Sequence, residues 1–147
     1  MEPLRLSFAV ACSVEHAWET WTRRASLWWP AGHTVAGEPG LEIVFEPRCA
    51  GRIFERTQEG REEDWGVILT WEPPRRLTYL WHLRADRADA TEVDIAFTHD
   101  AENEGSTRVH IEHRGWERLG ARGVERRERN HRGWQGVLPA FEAACIR

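Results

Sequence analysis

The sequence predicts an α+β domain: one strand, two short helices, an antiparallel meander of six further strands, and a long C-terminal helix. Three observations carry that expectation. From residue 41 to residue 113 the apolar residues recur with a period of two, in six runs separated by turn residues. Toward the C-terminus the spacing becomes helical, with Trp134, Val137, Leu138, Phe141 and Cys145 forming one stripe. The 147 residues are 41% hydrophobic and 30% charged, which suits a single domain over residues 1–147.

The elements follow in order. RLSFAVACS (5–13) alternates around Leu6, Phe8 and Val10 and reads as the first strand. Ser13 is placed to cap a helix whose segment VEHAWETW carries Val14, Ala17, Trp18 and Trp21 at helical spacing. RRASLWWP reads as a second short helix stopped at Pro30, because proline disfavours helical geometry in the residue before it. AGHTVAGEPG is a loop. In the meander, LEIVFEP turns Leu41, Ile43 and Phe45 to one face, and GRIFERT follows as the next strand. DWGVILTW is expected to turn Trp65, Val67, Leu69 and Trp71 to one face; LTYLWHL repeats the device with Leu77, Tyr79, Trp81 and Leu83. EVDIAF does so with Val93, Ile95 and Phe97, and TRVHIEH with Val109, Ile111 and His113. Such a meander has one apolar and one wetted face. Pro139 inside the terminal stripe is expected to kink that helix or leave one backbone acceptor unpaired. Gly115, Gly120 and Gly123 predict a loop or frayed turn before it.

Composition excludes several kinds of chemistry. All 20 basic residues are arginine. With no lysine there is no Schiff-base nucleophile, and no phosphate loop of the usual kind. The net charge of −4 argues against nucleic acid as a partner. The arginines from Arg118 to Arg132 alternate with Glu125 and Glu128 and read as a solvated helix face. Cys12, Cys49 and Cys145 show no CxxC spacing, so the expectation is small buried hydrophobes rather than a zinc site or a disulfide framework. His110 and His113 fall on opposite faces of a strand, so no metal site is expected, and no motif calls for a cofactor. No run approaches the roughly 18 apolar residues of a membrane span. The start MEPLRLSF has neither a basic leader nor an apolar core, so a cytoplasmic location is expected.

The tetrapeptide HRGW occurs at 113–116 and again at 131–134. Its flanks, EHRGWERLGARG and NHRGWQGVLPAF, share little else, so it is not a repeat unit. The first copy ends the last strand, where Gly115 lets the chain leave the sheet; the second opens the apolar stripe of the terminal helix.

This order of elements is that of the START-like, or Bet v 1-like, helix-grip fold. The segments FEPRCAGRIFERTQEG, EEDWGVILTWEPPRRLTYLWHL, TEVDIAFTHD, TRVHIEHRGWERLG and GWQGVLPAF resemble bacterial SRPBCC proteins related to the C-terminal domain of the Hsp90-ATPase activator. The most specific part is Trp65, Gly66 and Val67 followed by Pro73 to Leu77. Ala50 departs from the pattern, since relatives more often carry a glycine pair there. The resemblance implies a curved sheet wrapped around the C-terminal helix with an internal cavity between them. It leaves open lipid or hormone binding, polyketide cyclisation, oxygenase chemistry and co-chaperone activity.

Nine tryptophans are more than a domain of about 5–15 kcal/mol stability needs as core anchors, so some are expected to line a cavity for an apolar or aromatic ligand, the alternative being core filling with two or three at the surface. By strand parity and helix stripe the inward candidates are Trp65, Trp71, Tyr79, Trp81, Phe97 and Trp134; Trp28 and Trp29 are placed at an entrance, with His33 in the following loop. His113 is a lone imidazole on an apolar face, either a core histidine or a polar group orienting a guest. Glu55 shares the inward parity of Ile53, the alternative being that Phe54 faces inward. The expected function is binding of a small apolar or aromatic molecule. One alternative is a cyclase or hydrolase using His113, Glu55 or Tyr79 as acid or base; the other is a co-chaperone-like interaction module.

Overall fold

The computed structural model describes residues 1–147. Seven antiparallel strands form one curved sheet: β1 (Leu4–Val10), β2 (Glu42–Phe45), β3 (Arg52–Arg56), β4 (Glu62–Glu72), β5 (Arg76–Trp81), β6 (Thr91–His99) and β7 (Thr107–Arg114). Their order is β1-β7-β6-β5-β4-β3-β2, a meander from β2 to β7 with β1 added beside β7. Between β1 and β2 lie helix α1 (Val14–Trp21) and two 3-10 turns, Ala25–Leu27 and Ala31–His33. The chain ends in α2 (Gly123–Cys145), whose 23 residues reach about 35 Å.

Local chemistry explains the boundaries. Ser13 Oγ accepts from His16 N at 3.1 Å, capping α1. The predicted second helix contracts to the 3-10 turn at 25–27, with Trp28 Nε1 donating to Thr20 C=O at 2.7 Å. β7 ends at Gly115, whose φ of 101° turns the chain out of the sheet. A 3-10 segment, Trp116–Arg122, broken at Gly120, precedes α2 as the glycines predicted. Pro139 lies on the exposed side of α2, so the helix continues through it and only the exposed Gln135 carbonyl loses its intrahelical donor. The buried stripe of α2 is Trp134, Val137, Leu138, Phe141 and Cys145, as expected.

The apolar faces meet in one core. Phe141 of α2 sets its ring edge against Phe8 of β1 and Trp21 of α1, and Trp18 of α1 packs on Trp71 and Phe97. Ile53 and Glu55 of β3 both face inward. Phe54 is buried too, on the opposite face, with the Arg52 and Arg56 guanidinium groups 4.1 and 5.2 Å from its ring centroid.

Two expectations are corrected. In β4 the buried side chains are Trp65 and Ile68, while Val67 is only partly covered and Leu69 is 39% exposed. The cause is a pair of register shifts: β4 carries one extra residue against β3 at Trp65, and another against β5 at Leu69. Each bulge reverses the parity that strict alternation assumes. Among the cysteines, Cys145 is buried but Cys49 is exposed, with its thiol donating to Leu69 C=O at 3.2 Å. The departure at Ala50 also has a structural counterpart. Its φ is 66°, a region that costs a side chain and favours glycine, and a Cβ on the following Gly51 would lie 2.6 Å from Glu46 O.

Candidate functional site

A cleft of about 160 Å³ opens where α2, the 29–33 segment and the end of β5 converge. Its apolar walls are Trp29, Trp81, Trp134, Leu83 and Val137, and its polar groups are His33, Arg84, Arg129 and Asn130. α2 supplies Arg129, Asn130, Trp134 and Val137 from one side through helical spacing. Gly136 lets the opposite wall close in: a Cβ there would stand 2.4 Å from His33 Nε2. Burial, and then the charge of Arg84, hold the His33 imidazole below its ordinary pKa.

The loop forming the rim is fixed from two directions. From β3 beneath, the buried Glu55 carboxylate accepts from Val35 N (2.7 Å) and Ala36 N (2.8 Å), and from Trp65 Nε1 at 2.7 Å. From beyond β5, Arg84 donates to the carbonyls of Gly32 (2.9 Å) and Thr34 (2.8 Å from Nε). Trp29 Nε1 donates to His33 C=O at 2.9 Å, tying the entrance tryptophan to the same loop.

Behind the cleft the aromatic side chains pack against one another. Trp29 lies 5.1 Å from Trp65 and 6.0 Å from Trp81, and Tyr79 lies 5.5 Å from Trp81. Trp21 stacks on Trp134 at 6.1 Å and meets Phe141 edge-on at 4.8 Å. The Tyr79 hydroxyl and the Trp21 indole N–H face each other within this cluster, and neither completes a hydrogen bond of ordinary geometry. Burial pushes the phenol far above its usual range.

His113 of β7 is fully buried, and both ring nitrogens are engaged. Nδ1 accepts from Trp134 Nε1 at 3.1 Å; because an indole N–H only donates, the ring proton sits on Nε2 and is directed to Thr91 Oγ1 at 2.7 Å. Trp116 Nε1 donates to the His113 carbonyl at 3.0 Å. Desolvation lowers the imidazole pKa to about 3. The two HRGW copies therefore touch, with the histidine of the first bonded to the tryptophan of the second.

Of the residues the sequence singles out, the structure brings Trp29, His33, Trp81 and Trp134 to the cleft. Trp28, Trp65, Tyr79, Phe97 and His113 are buried away from it, Trp71 packs against Trp18, and Glu55 reaches it only through the loop it holds. Sequence reasoning missed Leu83, Arg84, Arg129, Asn130, Gly133 and Val137 as lining residues. The helical spacing that selects Trp134 reaches Asn130 when carried back one turn. Arg129 is exposed, as expected of the solvated face, and also borders the cleft.

A curved antiparallel sheet gripped by a long C-terminal helix, with an aromatic cleft at their junction, defines a helix-grip protein of the SRPBCC type. The chain belongs to the Activator of Hsp90 ATPase homolog 1-like family, whose profile matches residues 11–145. It is 36% identical to the anthrahydroquino-gamma-pyrone synthase Txn09 over 77% of this chain and 76% of that one, with a TM-score of 0.55. CalC from Micromonospora echinospora, a self-sacrificing resistance protein, shares the fold at a TM-score of 0.75 and 24% identity, over 98% of this chain and 94% of its own. CalU16 from the same organism aligns at a TM-score of 0.59 and 22% identity, over 95% and 71% of the two chains. No curated protein matches the sequence. No helix is long and apolar enough to cross a membrane.

Proposed function

We propose that this protein binds an aromatic small molecule, taking one ring of it into the cleft between Trp29, Trp81 and Trp134. The observation that carries this reading is the match of shape and chemistry. An apolar cavity of about 150 Å³ holds a single benzene-sized ring, and three indoles around about 160 Å³ offer flat walls to one. With aromatic rings packed behind it, the remainder of a larger guest extends through the mouth, over His33 and Asn130. Binding is favoured over acid–base catalysis by His113 and Glu55, because every polar atom of those two side chains is already engaged inside the protein. Tyr79 is sealed within the core with its proton held firmly.

The likeness to a pyrone-forming synthase favours a second reading, ring closure on a polycyclic aromatic substrate. In that reading the groups touching substrate are those at the mouth, His33 foremost, rather than the buried trio.

A thermal-shift series of flavonoids, polyketide-like aromatics, sterols and fatty acids tests the proposal. A ligand at 100 times its Kd adds about 2.7 kcal/mol, or roughly 5–10 °C at this chain length. The flat aromatics are expected to produce such shifts, and Trp81→Leu to abolish them relative to the melting point of that variant. A panel in which only fatty acids or sterols stabilise the protein, or none do, refutes the reading.

A further inference from the structure

We propose that the ligand of this cleft is an aromatic carboxylate, its ring between the indoles and its anionic oxygens held at the mouth by Arg84 and Arg129. The proposal rests on the aromatic-cleft reading above and adds the charge of the guest. The chain is acidic overall, with a net charge of −4, yet no aspartate or glutamate lines the cleft, whereas Arg84, Arg129 and His33 do. On the outer sheet face, by contrast, guanidinium groups are matched to carboxylates, as in Arg76–Asp94, Arg52–Asp64 and Arg114–Glu92. Arg129 and Arg84 have no such partner within 4 Å. Arg84 spends Nε and Nη2 on backbone carbonyls and keeps Nη1 unengaged.

The nearest acids lie outside the cleft lining. Glu63, Asp64, Asp86 and Asp89 border a neighbouring depression that Arg84 also lines, where Arg122 takes Asp89 in a two-point pair at 3.0 Å. Glu125 stands one depression along α2, beside Arg122, Arg126 and Arg129. Arg84 also holds a left-handed φ of 59°, a cost to a side-chain-bearing residue that the structure maintains at this rim. Two planar guanidinium groups lining one aromatic slot suit a planar carboxylate attached to a ring.

The test is isothermal titration of the full chain with a matched pair of probes, 2-naphthoate and neutral 2-naphthylmethanol, at pH 7 and two salt concentrations. The expected result is a preference of about ten- to hundredfold for the carboxylate, smaller at high salt, and reduced by about fivefold or more in Arg129→Gln. Arg129 is exposed and unpaired, so its replacement leaves the core intact. Equal affinity for the two probes overturns the charge assignment while leaving the aromatic cleft standing. A preference unchanged in Arg129→Gln overturns the placement of the anion at this mouth. Binding of neither probe overturns both readings.

Discussion

Tyr79 is the only tyrosine of the chain, and its hydroxyl is buried without a hydrogen bond of ordinary geometry. An unsatisfied buried polar group costs about 1–3 kcal/mol, whereas a satisfied one contributes about 1 kcal/mol. The two cases give opposite signs for one substitution. Tyr79→Phe keeps the ring against Phe45 and Trp81 and removes the oxygen that faces the Trp21 N–H, a donor already without a hydrogen bond of ordinary geometry. It is expected to leave stability unchanged or raise it by about 1 kcal/mol, read from urea unfolding midpoints at constant m-value. A loss of about 1 kcal/mol or more would show that the hydroxyl is bonded after all. Glu55 is the contrasting residue: also fully buried, it meets three N–H donors and no competing acceptor.

Those three donors make Glu55 the anchor of the 31–37 segment and set the expectation at the scale of elements. Glu55→Gln keeps the shape but turns one acceptor into an NH₂ group facing N–H donors. The cost is expected to be about 1–3 kcal/mol, with the Val35 and Ala36 amides losing at least about tenfold of their hydrogen-exchange protection while β6 and β7 amides follow only the global change. Uniform loss across the chain would deny the loop-specific role. At this same scale the sequence was legible where periods were unbroken. Val93, Ile95 and Phe97 on β6, Val109, Ile111 and His113 on β7, and the α2 stripe are buried as their spacing says. It was not legible in β4, because the bulges at Trp65 and Leu69 depend on partner strands that one segment does not encode. The cleft divides in the same way. Trp81 and Trp134 follow from parity and stripe. Arg84 and Arg129 do not, because an arginine facing a mouth and one facing open solvent look alike in sequence.

His113 joins these elements into one molecule. Its ring connects Trp134 of α2 to Thr91 of β6, and the Thr91 hydroxyl reaches Trp81 C=O of β5 at 3.5 Å. The network needs the neutral imidazole: protonating Nδ1 would aim a second donor at the Trp134 N–H. No charged neighbour acts on the ring, so its depressed value comes from burial alone. The folded pKa of about 3 lies below the ordinary 6.5, so between these values the unfolded chain binds a proton that the native state refuses. This contribution is fully present above about pH 6.5 and is lost as pH falls toward about 3, at a limiting slope of about 1.4 kcal/mol per pH unit. His113→Gln retains an oxygen to accept from Trp134 but cannot titrate. It is expected to be less stable than the parent at pH 7 and to show a shallower decline between pH 6 and pH 4, since all other titrating groups are shared. Because the lost contact spans sheet and helix, acid unfolding of the parent should be coincident by far-ultraviolet circular dichroism and by tryptophan emission. Parallel pH slopes for the two proteins would remove His113 as the source of acid sensitivity. An emission change that precedes the loss of secondary structure would instead show α2 leaving the sheet before the sheet itself unfolds.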